Sequence, residues 1–258
     1  MKHIESMFRK QFGPEPMSAL VVGGSGGIGG ELVHLLLSLG VESVWATSRA
    51  KDRPASLTSE SRLRWRNMDI TIPETIGPLM EEMGGGDVPP LRLVIVATGV
   101  LHEDKMQPEK RLSELQSQFL LRSFQVNSVG PMMVAQGCTP MMPRKGRVVF
   151  ASLGARVGSI EDNRLGGWYG YRASKAALVQ FLKTLSIEWR RRAPESIAIA
   201  LHPGTVDTDL SSPFQRNVPP GKLFGRERAA RQLLTVIVGL TPADTGTHVA
   251  WDGQPIPC

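Results

Sequence analysis

The stretch Val21-Val22-Gly23-Gly24-Ser25-Gly26-Gly27-Ile28-Gly29 joins a short apolar run, Ser18 to Val22, to a segment of helical periodicity, Gly30 to Leu39. Glycines between a strand and a helix let the backbone turn tightly and approach a pyrophosphate. The N-terminus of the helix then offers unpaired N–H groups to the negative charge. Gly23, Ser25, Gly27, Ile28 and Gly29 are therefore candidate contacts to a dinucleotide. The spacing Gly23-x3-Gly27-x-Gly29 departs from the commoner G-x-G-x-x-G pattern, and a purely structural turn is the competing reading.

Outward from this loop the chain alternates strand and helix. Strands are expected at Val44 to Thr47, Arg64 to Met68, Leu91 to Ala97, Arg147 to Ala151, Ile197 to Leu201 and Gly246 to Trp251. Helices are expected at Pro73 to Met83, Ser113 to Met142 with a bend at Pro131, Tyr171 to Arg191, and Arg226 to Leu240. Gly154 to Gly167 reads as a loop, and Ser211 to Gly225 as a mobile one. Such alternation implies an α/β fold, a single-domain doubly wound parallel sheet of Rossmann type with helices on both faces. The domain runs over residues 18–258, and residues 1–17 read as an N-terminal extension. Ligands of such sheets bind beyond the carboxyl ends of the strands.

The 258 residues suffice for one domain with a substantial core. No apolar run reaches the roughly 18 residues of a membrane helix, so no membrane partner is expected. Cys138 and Cys258 form neither a metal spacing nor a disulfide framework, which fits a reducing, cytoplasmic location. The net charge is +6 and the pI about 9.6. The basic residues are scattered apart from Arg190, Arg191 and Arg192, which belong at a helix C-terminus, so nucleic acid is not the expected partner.

The second strand ends at Thr47-Ser48-Arg49, where a carboxylate would mark NAD. Arg49 and the Ser48 hydroxyl suit a 2′-phosphate instead, with Lys51 and Arg53 nearby. NADP (NADPH) is therefore expected over NAD, with a solvated Arg49 as the alternative. Asp69 can accept the adenine amino group or cap the next helix. Gly99 lets the chain pass close to the cofactor. Tyr171 and Lys175 stand four apart at a helix start and share a face. A nearby ammonium lowers a phenol pKa, so Tyr171 can exchange a proton with an alkoxide, and Lys175 can also bond the nicotinamide ribose. Ser152 follows a buried strand and can polarise a carbonyl. Asn127 in the long helix needs partners. A water relaying protons to Lys175 would provide them, and an ordinary core Asn is the alternative.

These motifs together make the sequence resemble the short-chain dehydrogenase/reductase family from about Ser18 onward. The resemblance matches Asn127, Ser152, Tyr171 and Lys175 to its four catalytic positions. It also matches His202-Pro203-Gly204-Thr205-Val206-Asp207-Thr208 to the segment that binds the nicotinamide carboxamide through the Val206 backbone and Thr208. A closer resemblance, to the C-factor and sniffer-like carbonyl reductases, rests on Gly158-Ser159-Ile160, Asn163, Gly166 to Arg172 and Trp251-Asp252-Gly253. It implies NADPH-linked reduction of a small ketone or aldehyde in a homodimer or homotetramer. The alternatives are a cofactor-binding signalling protein with little catalysis and an NAD-linked alcohol dehydrogenase. Two departures stand out. The family's Asn-Asn-Ala-Gly is Val96-Ala97-Thr98-Gly99 here, and the loop from Ser152 to Tyr171 is long. Tyr169 is a rival to Tyr171, but only Tyr171 has a lysine four residues on.

Overall fold

The computed structural model describes residues 2–49, 57, 60–86 and 88–258. The strands are β1 (Ser18–Val22), β2 (Ser43–Ser48), β3 (Leu63–Asn67), β4 (Leu91–Val96), β5 (Val148–Leu153), β6 (Ser196–His202), β7 (Thr205–Val206), β8 (Leu223–Phe224) and β9 (His248–Ala250). The helices are α1 (Lys2–Phe12), α2 (Gly27–Ser38), α3 (Pro73–Gly84), α4 (Ser117–Phe124), α5 (Gly130–Cys138), α6 (Tyr169–Arg192) and α7 (Arg226–Gly239). Seven strands form one parallel sheet of order β3-β2-β1-β4-β5-β6-β9, and β7 pairs with β8 in a separate ribbon. The strand order reverses between β1 and β4, which puts the glycine loop and the chain after β4 side by side at the switch point.

Strand β1 is buried along its whole length and divides the core by alternation. Ala19 and Val21 face a cluster containing Leu32, Leu36, Leu233 and Ile237. Leu20 and Val22 face Ile76, Val134, Leu178 and Leu182 on the other side. Each such side chain, when fully buried, contributes about 1.5–3 kcal/mol, so two packed faces make the sheet a rigid base for the loops at its carboxyl end.

Several expectations change. The N-terminal extension is helical. Ile4, Phe8 and Phe12 of α1 recur every four residues, are buried, and join the cluster that contains α7, while Gln11 Nε2 donates to the Leu240 carbonyl. The long middle helix does not run unbroken to Met142. It is interrupted by one turn of π-helix at Gln125–Val129, and Pro131 sits in the first turn of α5, where its missing N–H costs nothing. Ser152 does not follow β5 but is its penultimate residue. The segment expected to be a mobile loop, Ser211 to Gly225, contains a 3-10 turn, Ser212–Asn217, and strand β8. Beyond β9 the chain turns at Asp252–Gly253 and runs back along it. Ala250 N donates to Gln254 O, Ile256 N to His248 O, and Glu161 N to the Cys258 carbonyl.

Candidate active site

The glycine loop is held by its backbone. Gly23 N and Gly24 N both donate to Thr47 O at the end of β2. A Cβ on Gly29 would lie 2.1 Å from Gly23 O, so only glycine lets α2 start this close to β1. Gly27 has φ 41, and its Cβ would meet Thr208 Cγ2 at 2.8 Å. The loop and the Pro203–Thr208 segment therefore touch. Ile28 is buried in the first turn of α2, whose N-cap, Gly26, has no side chain to bond the free amides. Ser48 Oγ donates to Ser25 Oγ at 2.8 Å, tying β2 to the loop.

This cradle fits a dinucleotide on two counts. Its glycines stand where a Cβ would collide, and the buried hydroxyls Thr47 Oγ1 and Thr98 Oγ1 beside it have no partner. Thr98 stands where the family pattern has alanine, after Val96 and Ala97 at the two asparagine positions, and its Cγ2 packs within 3.0 Å of the position of a Gly23 Cβ. Arg49 is exposed at the end of β2, with its carbonyl accepting Asn67 Nδ2. Lys51 and Arg53 lie outside the described residues. Asp69 Oδ1 accepts both the amide and the hydroxyl of Thr71. Burial pushes the Asp69 carboxyl up, but the Thr71 bonds, with Arg49 and Arg122 nearby, outweigh it and hold the group below its usual value. One oxygen is thus spent on a local turn ahead of α3, whose N-cap, Ile72, has no side-chain cap bond, while Oδ2 has no partner among the described residues.

Tyr171 and Lys175 occupy one face of the first turns of α6. Lys175 Nζ lies 5.8 Å from the Tyr171 ring centre and donates to Leu153 O at 2.7 Å, which pins the lysine to the end of β5 next to Ser152. Ser152 is buried, and neither its hydroxyl nor that of Tyr171 has a hydrogen-bond partner among the described residues. The expected depression of the Tyr171 pKa is corrected. Tyr171 is partly exposed, and desolvation by its packed neighbours pushes the group up to about 12. Desolvation also pushes Lys175 down to about 7. Near neutral pH the lysine therefore carries only part of its charge, and desolvation outweighs its pull on the phenolate.

Asn127 is fully buried in the π-turn. Its Oδ1 accepts Val100 N, and its Nδ2 donates to Val100 O and Ser174 Oγ. Ser174 Oγ in turn donates to the Tyr171 carbonyl. Both amide hydrogens and one lone pair of the oxygen are used in this brace, which leaves the second lone pair for a further donor. A Cβ on Gly99 would lie 3.6 Å from Asn127 Oδ1 and 3.7 Å from Lys175 Nζ, so Gly99 brings the β1–β4 switch point to the same spot. Val206 is buried, and its carbonyl accepts Thr208 Oγ1 and Ser211 Oγ. Gly204, at φ 80, lies under Phe224. Tyr169, the rival tyrosine, is exposed at the helix start.

Sequence reasoning missed several neighbours. Trp168 has φ 53, the only positive φ outside glycine among the described residues, and follows Gly166 and Gly167 at φ 64 and 65. Three successive left-handed residues make the turn into α6, and the tryptophan's share costs about 1–2 kcal/mol. Its ring packs against Tyr171 and Phe214, and Phe214 against His102. These aromatics bridge the two loops around Tyr171. An aromatic beside two glycines at the mouth of a helix was the available signal. His202 ends β6 and His248 begins β9 opposite Ala200, with His202 Nδ1 and His248 Nε2 buried and unpartnered. Burial first, then nearby positive charge, pushes each down to about 4.

The strand order, the glycine cradle and the Ser-Tyr-Lys cluster define a nucleotide-dependent oxidoreductase fold. The family model for short chain dehydrogenases matches residues 17–218, and the chain belongs to that family. The C-signal of Myxococcus xanthus is 32% identical over 139 residues, covering 54% of this chain and 78% of that protein. Among solved structures, the carbonyl reductase Sniffer of D. melanogaster superposes with TM-score 0.82 at 25% identity, covering 95% of this chain and all of that one. A short-chain dehydrogenase/reductase of Burkholderia multivorans with bound NADP reaches TM-score 0.77 at 25% identity, covering 95% and 100%. The doubly wound fold and the resemblance to the sniffer-like branch are thus both borne out. No helix among the described residues is long and apolar enough to cross a membrane.

Proposed function

We propose that the protein reduces a small ketone or aldehyde with NADPH, with Tyr171 as the proton donor. The observation that carries this reading is the pair of unpartnered hydroxyls, Ser152 and Tyr171, at the carboxyl end of β5, with Lys175 fixed behind them on Leu153 O. Gly23, Ser25, Ile28 and Gly29 would hold the dinucleotide phosphates, and Ser48 and Arg49 the 2′-phosphate. Asp69 and Gly99 would flank the adenosine and the switch point, and Pro203, Gly204, Val206 and Thr208 the carboxamide. When bound, NADPH supplies a hydride to the carbonyl carbon.

Ser152 Oγ donates to the carbonyl oxygen and holds it beside Tyr171. A phenol pushed up to about 12 stays protonated at neutral pH, the form that reduction requires. As the oxygen gains charge, Tyr171 gives it the proton, and Lys175, when protonated, stabilises the phenolate and restores the proton. Asn127 acts through Ser174 by keeping the helix start in register. The preference for NADPH is supported by Arg49 in place of a carboxylate and by the Burkholderia relative with bound NADP. Family members act as homo-oligomers in the resemblance above, and a homodimer or homotetramer is proposed here.

The test is NADPH consumption against a panel of aldehydes, ketones and quinones, with wild type and Tyr171→Phe. Turnover by the wild type and its loss in the variant, with NADPH binding kept, is expected. Turnover retained by the variant would sink the role of Tyr171. A wild type that binds NADPH but reduces nothing on the panel would favour the signalling reading that the C-signal relative raises.

A further inference from the structure

We propose that Glu109 is a positioning residue for Tyr171, gripping the start of α6 from the loop that follows β4; this rests on the reading of Tyr171 above. The first amides of a helix lack internal acceptors. Trp168, the N-cap of α6, offers none from its side chain. Glu109, 61 residues earlier than Gly170, does: its Oε2 accepts the Gly170 amide at 3.1 Å. Its backbone carbonyl accepts the Trp168 amide as well. One residue therefore holds two successive points of the helix entrance, one by side chain and one by main chain.

Glu109 is 7% exposed. A carboxylate is costly to bury without partners, and the positive end of a helix is a place where the cost is offset. The fit is close, since a Cβ on Gly170 would come within 3.1 Å of Glu109 Oε1 and of Leu120 Cδ2 on α4. Gly170 is thus held between carboxylate and helix, one residue before Tyr171. A second fastening at this entrance comes from Arg172, whose guanidinium donates to the carbonyls of Gly167, Val157 and Gly166 and ties the turn to the chain after β5. Among the described residues, Glu109 is the one that bonds this turn directly to the loop after β4, which also carries Gly99 and Val100; Asn127 reaches from Val100 to Ser174 one turn further on. Displacing the first turn of α6 would move the Tyr171 hydroxyl relative to Ser152, which stands on β5 and would not follow.

The experiment compares wild type, Glu109→Gln and Glu109→Ala as full chains. It uses the carbonyl of the panel above that the wild type reduces fastest, NADPH binding by fluorescence, and hydrogen exchange of the amides of residues 169–172. For Glu109→Ala, kcat should fall about tenfold to a hundredfold, as expected for a misplaced reacting group, with KM and NADPH affinity kept. Exchange should quicken in the first turn of α6 only. Glu109→Gln keeps an acceptor oxygen and should restore both kcat and protection. An unchanged kcat in the alanine variant, or unchanged exchange at residues 169–172, would overturn the proposal. Should the alanine variant fail to fold, Glu109→Asp, whose carboxylate falls short of Gly170, should lose kcat while Glu109→Gln keeps it, and equal rates would overturn the proposal. A wild type inactive on every carbonyl removes the reading of Tyr171, whereas the exchange result still decides the grip.

Discussion

Replacing Lys175 with methionine should make the protein more stable while removing its turnover. The ammonium is enclosed, and burial moves its pKa from 10.5 down to about 7. In the window between these values the unfolded chain binds the proton and the folded chain does not, so stability rises with pH from about 7 toward 10.5. At about 1.36 kcal/mol per unit, keeping a lysine here costs the fold on the order of 4 kcal/mol at pH 7. The opposing effect is the bond to Leu153 O, 2.7 Å long, whose loss leaves a buried carbonyl unpaired at about 1–3 kcal/mol. Methionine has a similar length and no charge, so the balance favours Lys175→Met by roughly 1–3 kcal/mol near neutral pH. Urea unfolding of both proteins without cofactor at pH 7, 8 and 9 measures this. The gap between them should narrow as pH rises, because only the wild type gains stability in that window. A variant less stable than wild type at pH 7, or a wild-type stability flat from pH 7 to 9, would refute the reasoning.

The histidine pair predicts the opposite end of the pH range. His202 and His248 are held near 4 against an ordinary 6.5, so the unfolded chain takes up protons first and stability should fall as pH drops from 6.5 toward 4. His248→Phe should remove part of that slope in urea unfolding at pH 7, 6 and 5, and an unaltered slope would contradict it. Arg49→Ala should weaken NADPH binding about tenfold or more, as loss of a charged hydrogen bond to phosphate implies, and leave NADH binding unchanged. Equal NADPH and NADH affinities in the unmodified protein would rule out the 2′-phosphate role.

The periodicity of the apolar runs placed the strands of the main sheet and α2, α3, α6 and α7 within a few residues, because each buries a face whose spacing is written in the chain. The cluster of Ser152, Tyr171 and Lys175 was legible for the same reason: helical spacing brings the last two together, and β5 delivers the first. What the sequence did not yield depends on distant partners. The direct partners of Asn127 were not legible because Val100 and Ser174 lie far from it along the chain, 27 and 47 residues away. The direction of the Tyr171 shift was misread because a local Tyr–Lys pairing says nothing of how deeply both groups are enclosed. Helix α1 was passed over although Ile4, Phe8 and Phe12 carry a four-residue spacing, since charges at Lys2, Glu5, Arg9 and Lys10 masked the stripe. The π-turn at Gln125–Val129 has no local signature to set against Pro131.

The return of the chain along β9 limits how copies of this protein can join. A three-residue strand at the rim of a sheet would ordinarily offer its outward backbone groups to any passing strand. Here the Ala250 amide and the His248 carbonyl are already taken by Gln254 and Ile256. A second molecule arriving at this rim cannot pair with β9 directly. It meets the returning segment first, where Pro255 has no amide to donate, so the residues that decide any union there can change without touching the strand beneath.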